Sequence, residues 1–177
     1  MEKARTTDHW TSGETCPPPE TLDTLGFGEQ FLVWCVRIWA QANHPDCKDP
    51  AHFSGQLRRA FDLAGLPETD LVFDRFLTVF LSSLKVPLSI HYPCCRGVSR
   101  DEIAFLRLVA DVQRGRATDT YMTLSDYLAP AGVRHAMMAV QELSVQLELK
   151  RLVMRPFDIP GERQERDRVM PESATVH

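Results

Sequence analysis

Between Phe27 and Glu148 the apolar positions recur mostly at spacings of three and four, the pattern of helices that each bury one face. The first run predicts a helix over Phe27 to Ala42, with Phe27, Phe31, Trp34, Cys35, Ile38 and Ala42 on one side. Leu32, Val33, Val36 and Trp39 make other sides apolar too, which suits a helix central in a core or half of a dimer contact. Asp49 before Pro50 predicts the next start, an N-cap followed by proline at the first helical position. Phe53, Leu57, Phe61 and Ala64 carry that helix to a stop at Gly65 and Pro67. Thr69 is expected to cap a third helix running to about Leu84, whose wide stripe includes Val72, Phe73, Phe76, Leu77, Phe80 and Leu81.

The period then changes to two. Val86, Leu88, Ile90 and Tyr92 alternate with Lys85, Pro87, Ser89 and His91, which predicts a short edge strand, since proline excludes a central one. Its expected partner is the stretch Arg151 to Phe157, giving at most a short two-stranded element near 86–90 and 151–156. Helical spacing resumes at Ser99, where Glu102 three residues on completes a capping box and Val98 with Ile103 forms the matching hydrophobic staple. The helix predicted there covers about Arg100 to Arg114 and ends at Gly115. A weaker one is expected over Asp119 to Leu128 before Pro130, and a long one over Gly132 to Glu148, burying Val133, Met137, Val140, Ser144 and Leu147. The fold class is therefore all-α, a single bundle of about six helices.

The ends lack this periodicity. Residues 1–25, rich in Thr, Glu and Pro and including Trp10 and Cys16, read as a disordered or loosely docked arm. Residues 26–157 form the helical domain, and 158–177, with charges of both signs and no apolar face, a solvated tail.

Composition narrows the function classes. At 177 residues and 44% hydrophobic, the chain holds enough apolar surface for one real core. A formal net charge of -4 gives no broad electrostatic reason to bind nucleic acid or an anionic membrane. The helix pair around Gly65 is unlike a DNA-reading helix-turn-helix, because its second helix carries Asp70 and Asp74, only Arg75 as a base, and a remaining face of Phe and Leu. No stretch approaches the roughly 18 consecutive apolar residues of a membrane span, and Phe31 to Ala40 is interrupted by Arg37. With no apolar leader in the first twenty residues, the expected compartment is the cytoplasm, where the five cysteines are reduced thiols or ligands.

Two loops carry chemistry. His44-Pro-Asp-Cys47 and His91-Tyr-Pro-Cys94 each place a His and a Cys three apart. Together His44, Cys47, His91 and Cys94 make an N2S2 set that zinc accepts, if the loops after the first and third helices meet at one end of the bundle. Cys95, beside Arg96 and just before a helix N-terminus, is then a spare ligand or a reactive thiol open to oxidation. The alternative is unliganded side chains, since buried cysteine is a common small hydrophobe and loop histidines are usually solvated; Cys35 belongs to the core on that ground. No dinucleotide fingerprint, phosphate-binding loop, nucleophile elbow or zinc-protease helix occurs, and Asp101 and Glu102 are explained by helix N-terminal electrostatics.

The run Pro93-Cys94-Cys95, a short turn, then Ser99-Arg-Asp-Glu102 and a Leu-rich helix resembles a feature of small, uncharacterised all-helical proteins of alphaproteobacteria. In those proteins an apolar first helix containing an Arg, a Cys-Cys turn and a capped helix follow in the same order. The resemblance spans about Phe27 to Leu149 and implies the all-helical layout; it implies no activity. The expectation for function is a non-enzymatic cytoplasmic domain without a cofactor, acting through a protein partner or self-association, with the apolar first helix and the tails as contact elements. A zinc- or thiol-based sensor built on the Cys and His loops is the alternative.

Overall fold

The computed structural model describes residues 20–157, which form six α-helices and no strand. These are α1 (Phe27–Ala42), α2 (Pro50–Leu63), α3 (Thr69–Ser82), α4 (Arg100–Gln113), α5 (Ala117–Tyr127) and α6 (Pro130–Leu149). The all-α class read from the periodicity is thus the fold of the described residues.

α1 takes the central option open to it. Leu32, Val33, Cys35, Val36, Ile38 and Trp39 are all buried, and the helix packs on α2 and α4. Most of its apolar surface is therefore consumed within the chain, with Phe27 at its start 72% exposed. α6 lies against α3, α4 and α5 and closes the other side. Aromatic rings fill the space between: Phe31, Phe61 and Phe73 form one chain of ring contacts, and Phe76, Phe80, Phe105 and Tyr127 another, with Phe80 and Phe105 centred 4.9 Å apart.

Most helix ends follow the sequence. Asp49 accepts the His52 N–H at 3.0 Å as the N-cap of α2, and Gly65, at φ 71, ends that helix in the left-handed region that glycine tolerates. Thr69 does not cap α3: Glu68 holds the N-cap position at φ 65, and Thr69 is the first helical residue, buried. Pro130 begins α6, where its missing N–H is one the first turn never uses; the predicted start two residues later treated it as a breaker. Two residues on, Gly132 meets the end of α3 so closely that a Cβ there would lie 2.2 Å from Ser83 Cβ.

The two-stranded element does not form among the described residues. A strand at 85–92 would give its N–H groups to a neighbour, but Lys85 N–H goes to the Tyr127 carbonyl, and Ser89 and His91 give theirs to the Asp101 and Glu102 carboxylates. The stretch 151–157 is tied elsewhere. Gln113 clamps Leu152 O and Met154 N–H with its amide, Arg114 donates to Met154 O, and Glu29 accepts the Arg155 N–H at 2.8 Å. Side chains near the end of α4 and the start of α1 took the bonds that alternation alone assigned to a partner strand.

Residues 20–25, assigned by sequence to the arm, are packed. Thr21 bridges Gly97, Val98 N–H donates to Glu20 O, Leu22 N–H donates to Arg96 O, and Leu25 is buried. Trp10, Cys16 and the tail from 158 lie outside the described residues. No helix among the described residues is long and apolar enough to cross a membrane.

Candidate functional site

Arg37, in the middle of α1, is 1% exposed, and arginine is almost never so deeply buried without a partner. Its partner is Glu102 in the first turn of α4, also 1% exposed. Arg37 Nε donates to Glu102 Oε1 at 2.7 Å and Nη2 donates to Oε2 at 2.9 Å, a bidentate fork. The remaining guanidinium hydrogens reach the turn between them: Nη1 donates to Cys95 O at 2.5 Å and to Tyr92 O at 3.5 Å, and Nη2 to Gly97 O at 2.6 Å. All five donors of the guanidinium are used.

Glu102 is equally satisfied. Oε1 also accepts His91 N–H at 3.1 Å, and Oε2 accepts Ser99 N–H at 2.8 Å, the second half of the capping box whose first half is Glu102 N–H on Ser99 Oγ at 3.1 Å. The stretch from His91 to Ser99 is therefore wrapped around one guanidinium, and its irregular backbone is fixed by a charge from another helix. Ser99 Oγ adds a bond to Ser89 O at 2.5 Å.

Sequence reasoning used Arg37 only to reject a membrane span and Glu102 only as a cap. A lone arginine inside an otherwise apolar helix, with no other charge on that helix beyond Glu29 in its first turn, was the signal available for both.

The cysteines and histidines take their places around this clasp. Cys94 is exposed and Cys95 half-buried. His91 Nδ1 stands 3.0 Å from Gly97 O, 3.6 Å from Cys95 Sγ and 3.8 Å from Glu102 Oε2. In the other loop, His44 Nδ1 accepts the Asp46 N–H at 3.2 Å, and Cys47 N–H donates to His44 O. His44 and His91 line one groove, and Cys47 and Cys94 are not among its lining residues. Among the described residues no three His, Cys, Asp or Glu side chains form a group that holds a metal ion. His44, Cys47, His91 and Cys94 are thus not gathered as a tetrahedral set: both Nδ1 atoms are occupied by backbone partners, and His91 sits beside Cys95.

That groove, about 410 Å³, opens between the later turns of α1, the end of α3 and the segment 84–92. Its walls are apolar, Val36, Trp39, Leu77, Leu84, Leu88, Ile90 and Phe105 among them. Leu81 and Tyr92, 41% and 67% exposed, stand at its lip, with His44 and His91 supplying polar edges. Sequence reading assigned Leu81, Leu84 and Trp39 to apolar faces and had no means of leaving a gap between them.

A smaller hollow of about 320 Å³ on the other side of the 85–92 segment holds Asp101 and Tyr127. Tyr127 donates to Asp101 Oδ1 at 2.9 Å, and burial together with that carboxylate pushes the phenol well above its usual range. Cys35 is enclosed in the core, and burial raises its thiol strongly, which makes it inert. Comparison of the chain with protein-family models, curated proteins and solved structures gave no match.

Proposed function

We propose that this domain is a non-enzymatic cytoplasmic binding module that seats an apolar segment of a partner protein in the groove between α1, α3 and residues 84–92. The observation that carries the reading is the groove itself: apolar walls from three elements, a few polar edge groups, and a size within the roughly 300–1,000 Å³ of ordinary binding pockets. The 84–92 segment that forms one side of it is held at both ends. The Arg37–Glu102 clasp holds one end of the 84–92 segment, and the bridge between Leu84 and Leu128 holds the other. A preformed apolar cleft loses little freedom on binding, so the anchors of a partner gain most of what their burial offers.

The test is a photo-crosslinking residue placed at Leu81, on the lip, and at Arg59, on the outer face of α2. The reading expects one dominant protein adduct from position 81, absent from position 59 and lost with Ile90→Glu while helicity is retained. Identical adducts from both positions, or adducts at 81 indifferent to Ile90→Glu, overturn it.

Self-association is supported separately by α6, where Met138, Val145 and Leu149 stand 65%, 54% and 70% exposed at helical spacing. Sedimentation over a wide concentration range is expected to show dimers that Met138→Glu abolishes; a strict monomer removes this second reading.

A further inference from the structure

We infer that the hollow between Val86 and Pro87, the start of α4 and the end of α5 is a binding site for a free α-amino acid with an aliphatic side chain, leucine being the type. At about 320 Å³ it falls within the range of small-molecule sites. Its walls bring charges of both signs together. Arg100 and Asp126 line it, both are exposed, and neither side chain makes a hydrogen bond or an ion pair among the described residues. They lie close enough to Tyr127 that both act on its phenol, in opposite senses. Asp101 is already committed: Oδ1 accepts the Tyr127 hydroxyl at 2.9 Å and Oδ2 accepts the Ser89 N–H at 2.7 Å. Having given its hydrogen to Asp101, the Tyr127 oxygen offers only a lone pair to the hollow.

The observation that points to a ligand is Thr123. It is the most deeply set residue of the hollow, 4% exposed, and its hydroxyl makes no hydrogen bond among the described residues. Buried hydroxyls are rarely left so. On a helix, threonine can bond back one turn, as Thr120 does on the same helix, donating to Arg116 O at 3.0 Å. Thr123 forgoes that bond on the wall of a cavity, and the space beside it holds an unpaired guanidinium and an unpaired carboxylate.

A ligand that answers all of these groups carries both charges. Its ammonium donates to the Asp126 carboxylate and to the Tyr127 oxygen, and its carboxylate accepts from Arg100 and from the Thr123 hydroxyl. A simple anion would face Asp101 and Asp126, and a simple cation would face Arg100, so a ligand of either single charge meets a like charge in the site. Val86 and Pro87 supply the apolar part of the lining, and Val86 is 39% exposed, which leaves surface for an aliphatic side chain to cover.

The experiment is an amide-resolved NMR titration of the full chain with three probes of one carbon skeleton: L-leucine, 4-methylpentanoate, which lacks the ammonium, and 3-methylbutylamine, which lacks the carboxylate. L-Leucine is expected to shift the amides of Val86, Asp101 and Asp126 saturably in the low-millimolar range, and each single-charge probe to bind about tenfold more weakly. Arg100→Gln is expected to bring L-leucine down to the affinity of the amine while leaving the amine unchanged. Asp126→Asn is expected to bring it down to the affinity of the acid while leaving the acid unchanged. Both side chains are exposed and unpaired, so the variants keep the fold, and unshifted amides of Leu106 and Val140 in the core report that they do. Shifts that stay linear in L-leucine, a single-charge probe that binds as tightly as L-leucine, or an affinity for L-leucine unmoved by either substitution overturns the inference.

Discussion

Replacing Arg37 with Met tests the role of the clasp most directly. The substitution keeps the apolar stem and removes the guanidinium. Glu102 would then keep two of its four donors, the N–H groups of His91 and Ser99, in a site 1% exposed. The carbonyls of Cys95 and Gly97 would lose their Arg37 donors. Breaking a buried pair from one side costs about 3–5 kcal/mol. Against a total stability of about 5–15 kcal/mol, Arg37→Met leaves a marginal domain. Glu102→Gln is expected to fall in the same range of about 3–5 kcal/mol, because its amide nitrogen would face donors on the side where a carboxylate oxygen accepted them. The double variant must cost less than the sum, since each single change strands the partner that the other removes; a coupling of about 1.5–3 kcal/mol is expected. Urea denaturation followed by tryptophan fluorescence measures all four corners of the cycle, with Trp39 in the core as a reporter. Coupling below about 0.5 kcal/mol, the level at which independent sites add, refutes the clasp as an energetic unit.

Three further outcomes follow from single contacts. Gly132→Ala is expected to destabilise by about 1–3 kcal/mol through its clash with Ser83, and the same change made on Ser83→Gly is expected to be neutral or stabilising, because only the Ser83 side chain lies within 3 Å; thermal melts of the four proteins check the reversal of sign. Tyr127→Phe is expected to cost about 1 kcal/mol at neutral pH by losing the bond to Asp101. Above about pH 10, where an ordinary phenol ionises, the unfolded side chain loses its proton while the folded one keeps it, so wild-type stability falls as pH rises and the gap to Tyr127→Phe narrows; a constant gap up to about pH 11 would contradict the raised phenol. Glu29→Gln is expected to leave the N–H of Gly26 or Arg155 unpaired and cost about 1–3 kcal/mol, with faster amide exchange confined to the start of α1 and residues 152–157.

What the sequence revealed of this fold was what local physics governs. The capping box at Ser99, the proline at the start of α2 and the glycine after it each act within four residues, and each is found where the pattern placed it. The expected strand failed for the opposite reason. Alternation at 85–92 matches inward-facing side chains only at Leu88 and Ile90, Val86 and Tyr92 being exposed, and the segment is pinned by Tyr127, Asp101 and Glu102 rather than by a partner strand. The candidate site was legible as a location and not as chemistry. His91, Cys94 and Cys95 marked the right turn, yet the partner that organises it sits 65 residues from Glu102, and nothing near either residue announces that distance.

The clasp also explains why an apolar substitute for the ion pair would not serve here. Exchanging a buried pair for well-packed hydrophobes is often neutral elsewhere, because the two charges answer only each other. In this domain the guanidinium also answers the carbonyls of Tyr92, Cys95 and Gly97, and the carboxylate answers the N–H groups of His91 and Ser99. Removing both charges would orphan a turn of backbone that has no strand or helix to bond with, and each buried unsatisfied group costs about 1–3 kcal/mol. The same turn presents the Cys95 sulfur on one side and leads through Tyr92 and His91 to the edge of the groove on the other. Arg37 thus ties the turn that carries Cys95 to the edge of the groove, since one guanidinium holds the Tyr92 and Cys95 carbonyls and, through Glu102, the His91 N–H.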